Sequence, residues 1–235
     1  MNALGRDAVH VWQLACGEPV EAPLMPERAA ALCPEERARY DRFRFHTKKN
    51  EFLIGKLLTR WVLSRYDARP PADWAFAEAA RGKPSALDAG DLRFNLSHTR
   101  GLLAVAVTRG HDVGVDVEQV ARRDDGVAER FFAPEEAAEV RAAPVPERDR
   151  LFARFWTLKE AYIKAHGDGL SIPLASFRFE LGDPVRIAFR DPDGGDPREW
   201  WFHWRDPSPE HALAVAVRSG GPVAVEWLTV GLAEL

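Results

Sequence analysis

The sequence predicts an α+β fold made of two similar α+β halves, residues 1–110 and 111–235, forming a pseudo-twofold monomer with a functional site between them. Its 235 residues suffice for one large domain or two small ones. With 46% apolar and 29% charged residues, the composition is that of an ordinary globular chain with a real core. The run Leu103-Ala104-Val105-Ala106-Val107 recurs letter for letter at Leu213-Ala214-Val215-Ala216-Val217. Each copy follows a long helix and a strand segment, with a histidine shortly before it (His98, His211) and a glycine turn soon after. Pockets favour the interface between two such halves.

Taken in order, His10 to Ala15 alternates like a strand. Cys33-Pro34-Glu35-Glu36 opens a helix, with proline near the first turn and acids beside it. Lys49 to Tyr66 has helical spacing and stops at Arg69-Pro70-Pro71. A short strand over Trp74 to Ala77 precedes a turn at Arg81-Gly82-Lys83-Pro84. Leu92 to Ser97, Leu102 to Thr108 and Asp112 to Val117 read as strands joined by turns at Thr99-Arg100-Gly101 and Arg109-Gly110-His111. Asp124-Asp125-Gly126 marks a loop, and a helix follows Phe132-Ala133-Pro134-Glu135-Glu136. Pro144 and Pro146 break it, and a long helix from Glu147 to His166 ends at Gly167. The last third is strands: Ser176 to Leu181, Val185 to Phe189, Trp200 to Trp204, Ala212 to Val217 and Val223 to Leu228.

The net charge of -4 excludes general affinity for nucleic acid or an anionic membrane. The charge is uneven, however. Between Arg37 and Arg65 stand nine Lys/Arg, including Arg39, Arg42 and Lys56, against two acids, Asp41 and Glu51. A basic island in an acidic protein is a local anion site. Cys16 and Cys33 have neither framework nor metal spacing and read as free thiols in a reducing compartment. The chain opens without a basic start and long apolar run, and no stretch approaches the roughly 20 apolar residues that span a bilayer. A cytoplasmic location is the expectation.

Gly114-Val115-Asp116-Val117-Glu118 sets two carboxylates at alternate positions of an apolar strand. Val113, Val115 and Val117 then face the core, while Gly114, Asp116 and Glu118 share the other face. Two carboxylates this close repel, and a cation resolves the repulsion. With no His or Cys in the set, the ligands are hard oxygens suited to Mg²⁺ or Mn²⁺. Gly114 is expected to leave room there for a bulky ligand. A solvent-exposed acidic strand face fits the same residues.

Along Phe152 to Lys164, the residues Phe152, Phe155, Trp156, Leu158, Tyr162 and Ile163 sweep out a wide apolar arc. Lys159 falls inside it and must snorkel, pair with an acid or serve a function. Glu160 sits at its edge beside Trp156, and Lys164 lies one turn beyond, which also fits an ordinary i,i+4 ion pair. Three acids with lysines alongside suggest a divalent metal and phosphate chemistry. Asn95-Leu96-Ser97-His98-Thr99 adds hydroxyl and imidazole donors for a phosphate, with the cation of Lys83 in the turn before it. As a nucleophile pair Ser97-His98 is weak, because adjacent strand residues point apart.

These segments, in this order and spacing, resemble the 4′-phosphopantetheinyl transferases of the surfactin-synthetase-activating type. The likeness runs nearly end to end. It includes Asn95-Leu96-Ser97-His98, Gly114 to Glu118, Trp156-Thr157-Leu158-Lys159-Glu160-Ala161-Tyr162-Ile163-Lys164, Gly82-Lys83-Pro84, Arg130-Phe131-Phe132 and Gly167 to Leu174. The resemblance implies that coenzyme A donates its phosphopantetheine arm to a serine of an apo acyl carrier protein or peptidyl carrier domain, releasing adenosine 3′,5′-bisphosphate. It implies a monomer of two α+β halves. It implies that Asp116, Glu118 and Glu160 hold Mg²⁺ and that Lys164, and Lys159 beside it, meet the phosphates. Lys83, Pro84, Ser97 and His98 would line the nucleotide. Arg39 aligns with a family lysine that reaches the 3′-phosphate, with Arg42 or Lys56 assisting. Either Glu160 or Glu118 would take the serine proton, directly or through a water, with Glu160 the first choice. Phe131 and Phe132 would belong to a carrier-docking face or to the core. Thr157 stands where the family more often has Ser or Cys, and Glu36 and Glu51 stand where relatives can carry basic residues. A metal-dependent phosphodiesterase acting on coenzyme A or a related nucleotide is the competing expectation from the same three acids.

Overall fold

A computed structural model describes residues 3–17, 25–78, 82–121, 126–167, 171–191 and 194–235. Arg81, Asp124, Asp125 and residues 168–170, which belong to the turn, loop and post-helix motifs above, lie outside these ranges. The first half runs β1 (Ala8–Ala15), α1 (Pro34–Arg42), α2 (His46–Leu63), β2 (Phe76–Glu78), β3 (Pro84–Ala86), β4 (Leu92–Thr99) and β5 (Leu102–Arg109). The second runs β6 (Asp112–Gln119), α3 (Val127–Phe131), α4 (Pro134–Ala142), α5 (Val145–His166), β7 (Phe177–Glu180), β8 (Arg186–Phe189), β9 (Trp200–Ser208) and β10 (His211–Arg218). A final strand, β11 (Ala224–Thr229), follows. Both halves therefore go from strand to short and long helices, then to a small hairpin and a longer one. Pro146 lies in the first turn of α5, where its missing N–H costs nothing, so the helix starts before it. Gly167 ends α5 in the left-handed conformation (φ 86°).

The strands form two main sheets, ordered β11-β1-β5-β4 and β6-β10-β9. Although β5 and β6 are joined by a tight turn, they belong to different sheets. The inner faces meet in a core of Val9, Val11, Ala104 and Ala106 against Val113, Val115, Val215 and Val217. On the outer faces, α2 packs with Trp12, Leu103 and Val105. Likewise α5 packs with Ala214 and Ala216. The order is thus helix, sheet, sheet, helix.

This layering corrects the reading of the repeated run. Leu103, Val105 and Val107 face α2, whereas Leu213, Val215 and Val217 face the core between the sheets. A strand presents alternate residues to opposite faces, so a match in letters that reverses the faces is one residue out of structural register. The halves are alike, but the five identical letters do not mark equivalent places.

A better marker is Pro-Glu-Glu, at 34–36 and again at 134–136. Each copy opens a helix, and its second glutamate accepts a hydrogen bond from the residue ahead of the helix: Cys33 N–H to Glu36 at 3.3 Å, Ala133 N–H to Glu136 at 3.1 Å. That glutamate then pairs with the long helix of its own half. Glu36 takes Arg60 at 2.7 Å and Lys56 at 3.1 Å. Glu136 takes Lys159 at 2.7 Å.

Candidate active site

Three adjacent pieces of chain build one cleft of 520 Å³: Leu96, Ser97 and His98 of β4; Asp116 and Glu118 of β6; and Trp156, Glu160 and Lys164 of α5. All three predicted acids line it, together with Ser97, His98 and Lys164. Asp116 is buried and forms its centre. Its Oδ1 accepts hydrogen bonds from Ser97 Oγ at 2.9 Å and from Lys164 Nζ at 2.6 Å. Lys164 also donates to Ser97 Oγ at 3.0 Å and to the Val115 carbonyl at 3.3 Å. Its ion pair is therefore with the acid on the facing strand. Thr99 Oγ1 donates to Glu118 Oε2 at 3.4 Å.

Gly114 is what allows helix and strand to meet so closely, and its role differs from the expected one. A Cβ there would stand 2.1 Å from the Ala161 carbonyl oxygen and 2.4 Å from the Ala165 nitrogen. The space beside the acids is filled by the backbone of α5. With the helix lying directly on β6, Lys164 reaches Asp116.

Lys159 is a second correction. It is fully buried, pairs with Glu136, and donates to the carbonyls of Leu174 and Phe177 at 2.8 Å each. Of the three fates open to a lysine in an apolar arc, it takes the pairing, and it is not among the residues that line the cleft. Desolvation pushes the Glu136 carboxyl up and the Lys159 ammonium down, which outweighs their mutual attraction.

The other predicted contacts spread outward. Lys56 is held by Glu36 rather than lining the cleft. Arg39 and Arg42 stand exposed on α1. Lys83 donates to the Ala165 carbonyl at 2.9 Å, satisfying the last turn of α5, and its pKa is lowered mainly by burial. With Pro84 it lines a separate cavity of 530 Å³ shared with Arg93, Asp112 and His166. Part of the His98 imidazole remains exposed, yet its neighbours crowd it enough that desolvation lowers its pKa below 6.5. The charges of Glu51, Lys48, Lys164 and Asp116 act on it as well, so the basic start of α2 comes up beside the cleft. Phe132 is core, stacked on Phe152 at 5.3 Å, while Phe131 is 48% exposed.

In donor type, the set suits a hard divalent cation. Its three acids offer oxygen only, and Asp116 Oδ2 is buried without a hydrogen-bond partner. Among the described residues, no three His, Cys, Asp or Glu close into a ligand cluster. Like charges repel, and the Lys164 ammonium is the cation that neutralises Asp116.

Sequence reading missed Glu136 as the partner of Lys159, although the repeated Pro-Glu-Glu was a usable signal. It also passed over Asn95, whose Oδ1 accepts the Val115 N–H at 2.9 Å. Among the described residues both cysteines are free, and no helix is long and apolar enough to cross a membrane.

Comparison with known proteins supplies the family. Residues 112–216 match the 4′-phosphopantetheinyl transferase superfamily, and residues 21–110 match a family described as 4′-phosphopantetheinyl transferase, N-terminal. The 4′-phosphopantetheinyl transferase HetI of Nostoc sp. is 36% identical over 70% of this chain and 71% of its own length. The transferase psf-1 of Bacillus pumilus is 32% identical over 83% of this chain and 82% of its own. The transferase Sfp of Bacillus subtilis is 30% identical over 79% and 82%. With both halves matched by family and relatives of this identity aligned over most of their length, the chain belongs to the 4′-phosphopantetheinyl transferases.

Proposed function

We propose that this chain moves the phosphopantetheine arm of coenzyme A to a serine of an apo acyl carrier protein or peptidyl carrier domain, in the cleft between β4, β6 and α5. The serine oxygen forms a bond to the phosphorus that carries pantetheine. The anhydride bond to the other phosphorus breaks, and adenosine 3′,5′-bisphosphate leaves with the electron pair. The observation that carries this reading is the gathering of Asp116, Glu118 and Glu160 with Lys164, Ser97 and His98 in one cleft.

Asp116, Glu118 and Glu160 would hold Mg²⁺, or Mn²⁺ in its place. When bound, the ion supplies positive charge against the charge gathering on the leaving bisphosphate. Lys164 is placed to shift from Asp116 to the diphosphate, since its ammonium is a mobile point charge on a flexible stem. Ser97 and His98 offer polar donors at the same wall. The Arg39, Arg42 and Lys48 region is the site for the 3′-phosphate, in line with the charge of Lys48 reaching His98. Glu160, on the wall beside Trp156, is the first choice to take the serine proton, with Glu118 second. Phe131, exposed next to the buried Phe132, belongs to the carrier-docking face. The protein works as a cytoplasmic monomer.

The test is to incubate the chain with coenzyme A, Mg²⁺ and an apo carrier, then weigh the carrier. A mass gain of one phosphopantetheine supports transfer. Coenzyme A cleavage with the carrier unchanged would mean a phosphodiesterase. Asp116→Ala and Glu160→Ala are each expected to abolish transfer while circular dichroism stays native. A fully active Asp116→Ala would end the metal reading.

A further inference from the structure

Two neighbouring parallel pairs of strands are joined in different ways. β1 and β11 pair as a regular ladder, from Ala8 with Ala224 to Gln13 with Thr229. β4 and β6 also ascend side by side, but side chains join them. Asn95 Oδ1 accepts the Val115 N–H at 2.9 Å, and Ser97 Oγ accepts the Val117 N–H at 3.3 Å. Thr99 reaches Glu118 one step further along. A ladder would hold the strands about 4.8 Å apart. Here side chains of β4 take the place of that ladder, and Leu96, Ser97, His98, Asp116 and Glu118 of the two strands line the cleft.

Ser97 touches the site directly. Asn95 does not line the cleft, yet it is buried at 5% exposure and fixes the residue immediately before Asp116. The carbonyl of that same residue, Val115, receives Lys164. We propose that Asn95 is a positioning residue: by accepting the Val115 N–H it sets the spacing of β6 from β4, and so holds Asp116 where both the cation and Lys164 can use it. This rests on the reading that Asp116, Glu118 and Glu160 hold the cation.

The test compares wild type, Asn95→Leu, which removes the acceptor at similar size, and Asn95→Asp, which keeps it. Three quantities are read: Mn²⁺ binding without substrates by electron paramagnetic resonance, kcat against KM for coenzyme A, and exchange of the Val115 amide by NMR. Asn95→Leu should weaken Mn²⁺ binding several-fold and lower kcat by about 10–100-fold, as small displacements at catalytic groups do. Its KM for coenzyme A should stay within about twofold, since uniform binding is untouched, and the Val115 amide should lose protection. Asn95→Asp should restore that protection and most of kcat. If Asn95→Leu does not fold, Asn95→Ser, polar but too short to reach Val115, must show the same pattern. Wild-type Mn²⁺ affinity and kcat in a folded Asn95→Leu would overturn the proposal and leave the metal reading standing. No Mn²⁺ binding by wild type would overturn both.

Discussion

In the first half of the molecule, the long helix meets the opening strand through aromatic bulk. Trp12 of β1 stands edge-on to Trp61 of α2 at 5.0 Å, and Arg65 stacks over Trp61 at 3.9 Å. In the second half, α5 lies on β6 at Gly114 and sends Lys164 to Asp116. The paired glutamates bring the two helices into register: Arg60 on Glu36 corresponds to Lys159 on Glu136. The residue after Arg60 is Trp61, and the residue after Lys159 is Glu160. Four further on stand Arg65 and Lys164. One plan thus yields a packed junction filled by two tryptophans in one half, and in the other a polar cleft where Gly114, Asp116, Glu160 and Lys164 stand.

The sharpest way to break this comparison is to add one methyl group to each half. Gly114→Ala drives a Cβ into the backbone of α5, which cannot yield locally. We expect transfer to fall by about 100-fold or more, and the melting temperature to drop. Gly55→Ala places its Cβ 3.2 Å from Leu96 Cδ2, a side chain that can move. Helix propensity there gains up to about 1 kcal/mol, so stability should stay near that of wild type. Equal damage from both would erase the contrast.

The ion pairs offer the next test. Lys159→Met leaves Glu136 buried and unpaired, which should cost about 3–5 kcal/mol in denaturant unfolding while KM for coenzyme A is unchanged. A raised KM without loss of stability would return Lys159 to the phosphate site. Arg60→Met leaves Glu36 paired with Lys56 and should cost less, on the order of 1–3 kcal/mol.

The smallest effect concerns pH. Burial alone would raise the Glu36 pKa, but its hydrogen bond to Arg60 and the charges of Lys56 and Arg60 lower it below 4.5. A depressed carboxyl contributes stability above its unfolded value and loses it as pH falls through the folded one. Wild type should therefore melt higher than Glu36→Gln at neutral pH. The gap should narrow below pH 4.5, which melting curves across that range would check. A constant gap would show that the pair acts through shape rather than charge.

Much of this was legible in the sequence, because local chemistry set it. Proline placed the start of α1 and both ends of α4, glycine placed the end of α5, and alternation placed the strands. Motif order brought Asp116, Glu118, Glu160, Lys164, Ser97 and His98 together before any fold was known. What failed depended on long-range packing. Whether Lys159 faces a ligand or the core depends on Glu136, on another helix. Whether Gly114 leaves a void or admits a backbone depends on how near α5 settles. The Leu-Ala-Val-Ala-Val echo misled because a run of small apolar residues suits either face of a sheet.

The pairing of β11 with β1 bears on how the chain matures. Translation delivers the first half long before the strand that completes its sheet. Until Ala224–Thr229 emerges from the ribosome, β1 presents an uncovered edge, the kind of surface on which nascent chains stick to one another. Losing those last residues would therefore harm yield and solubility through the opposite end of the polypeptide.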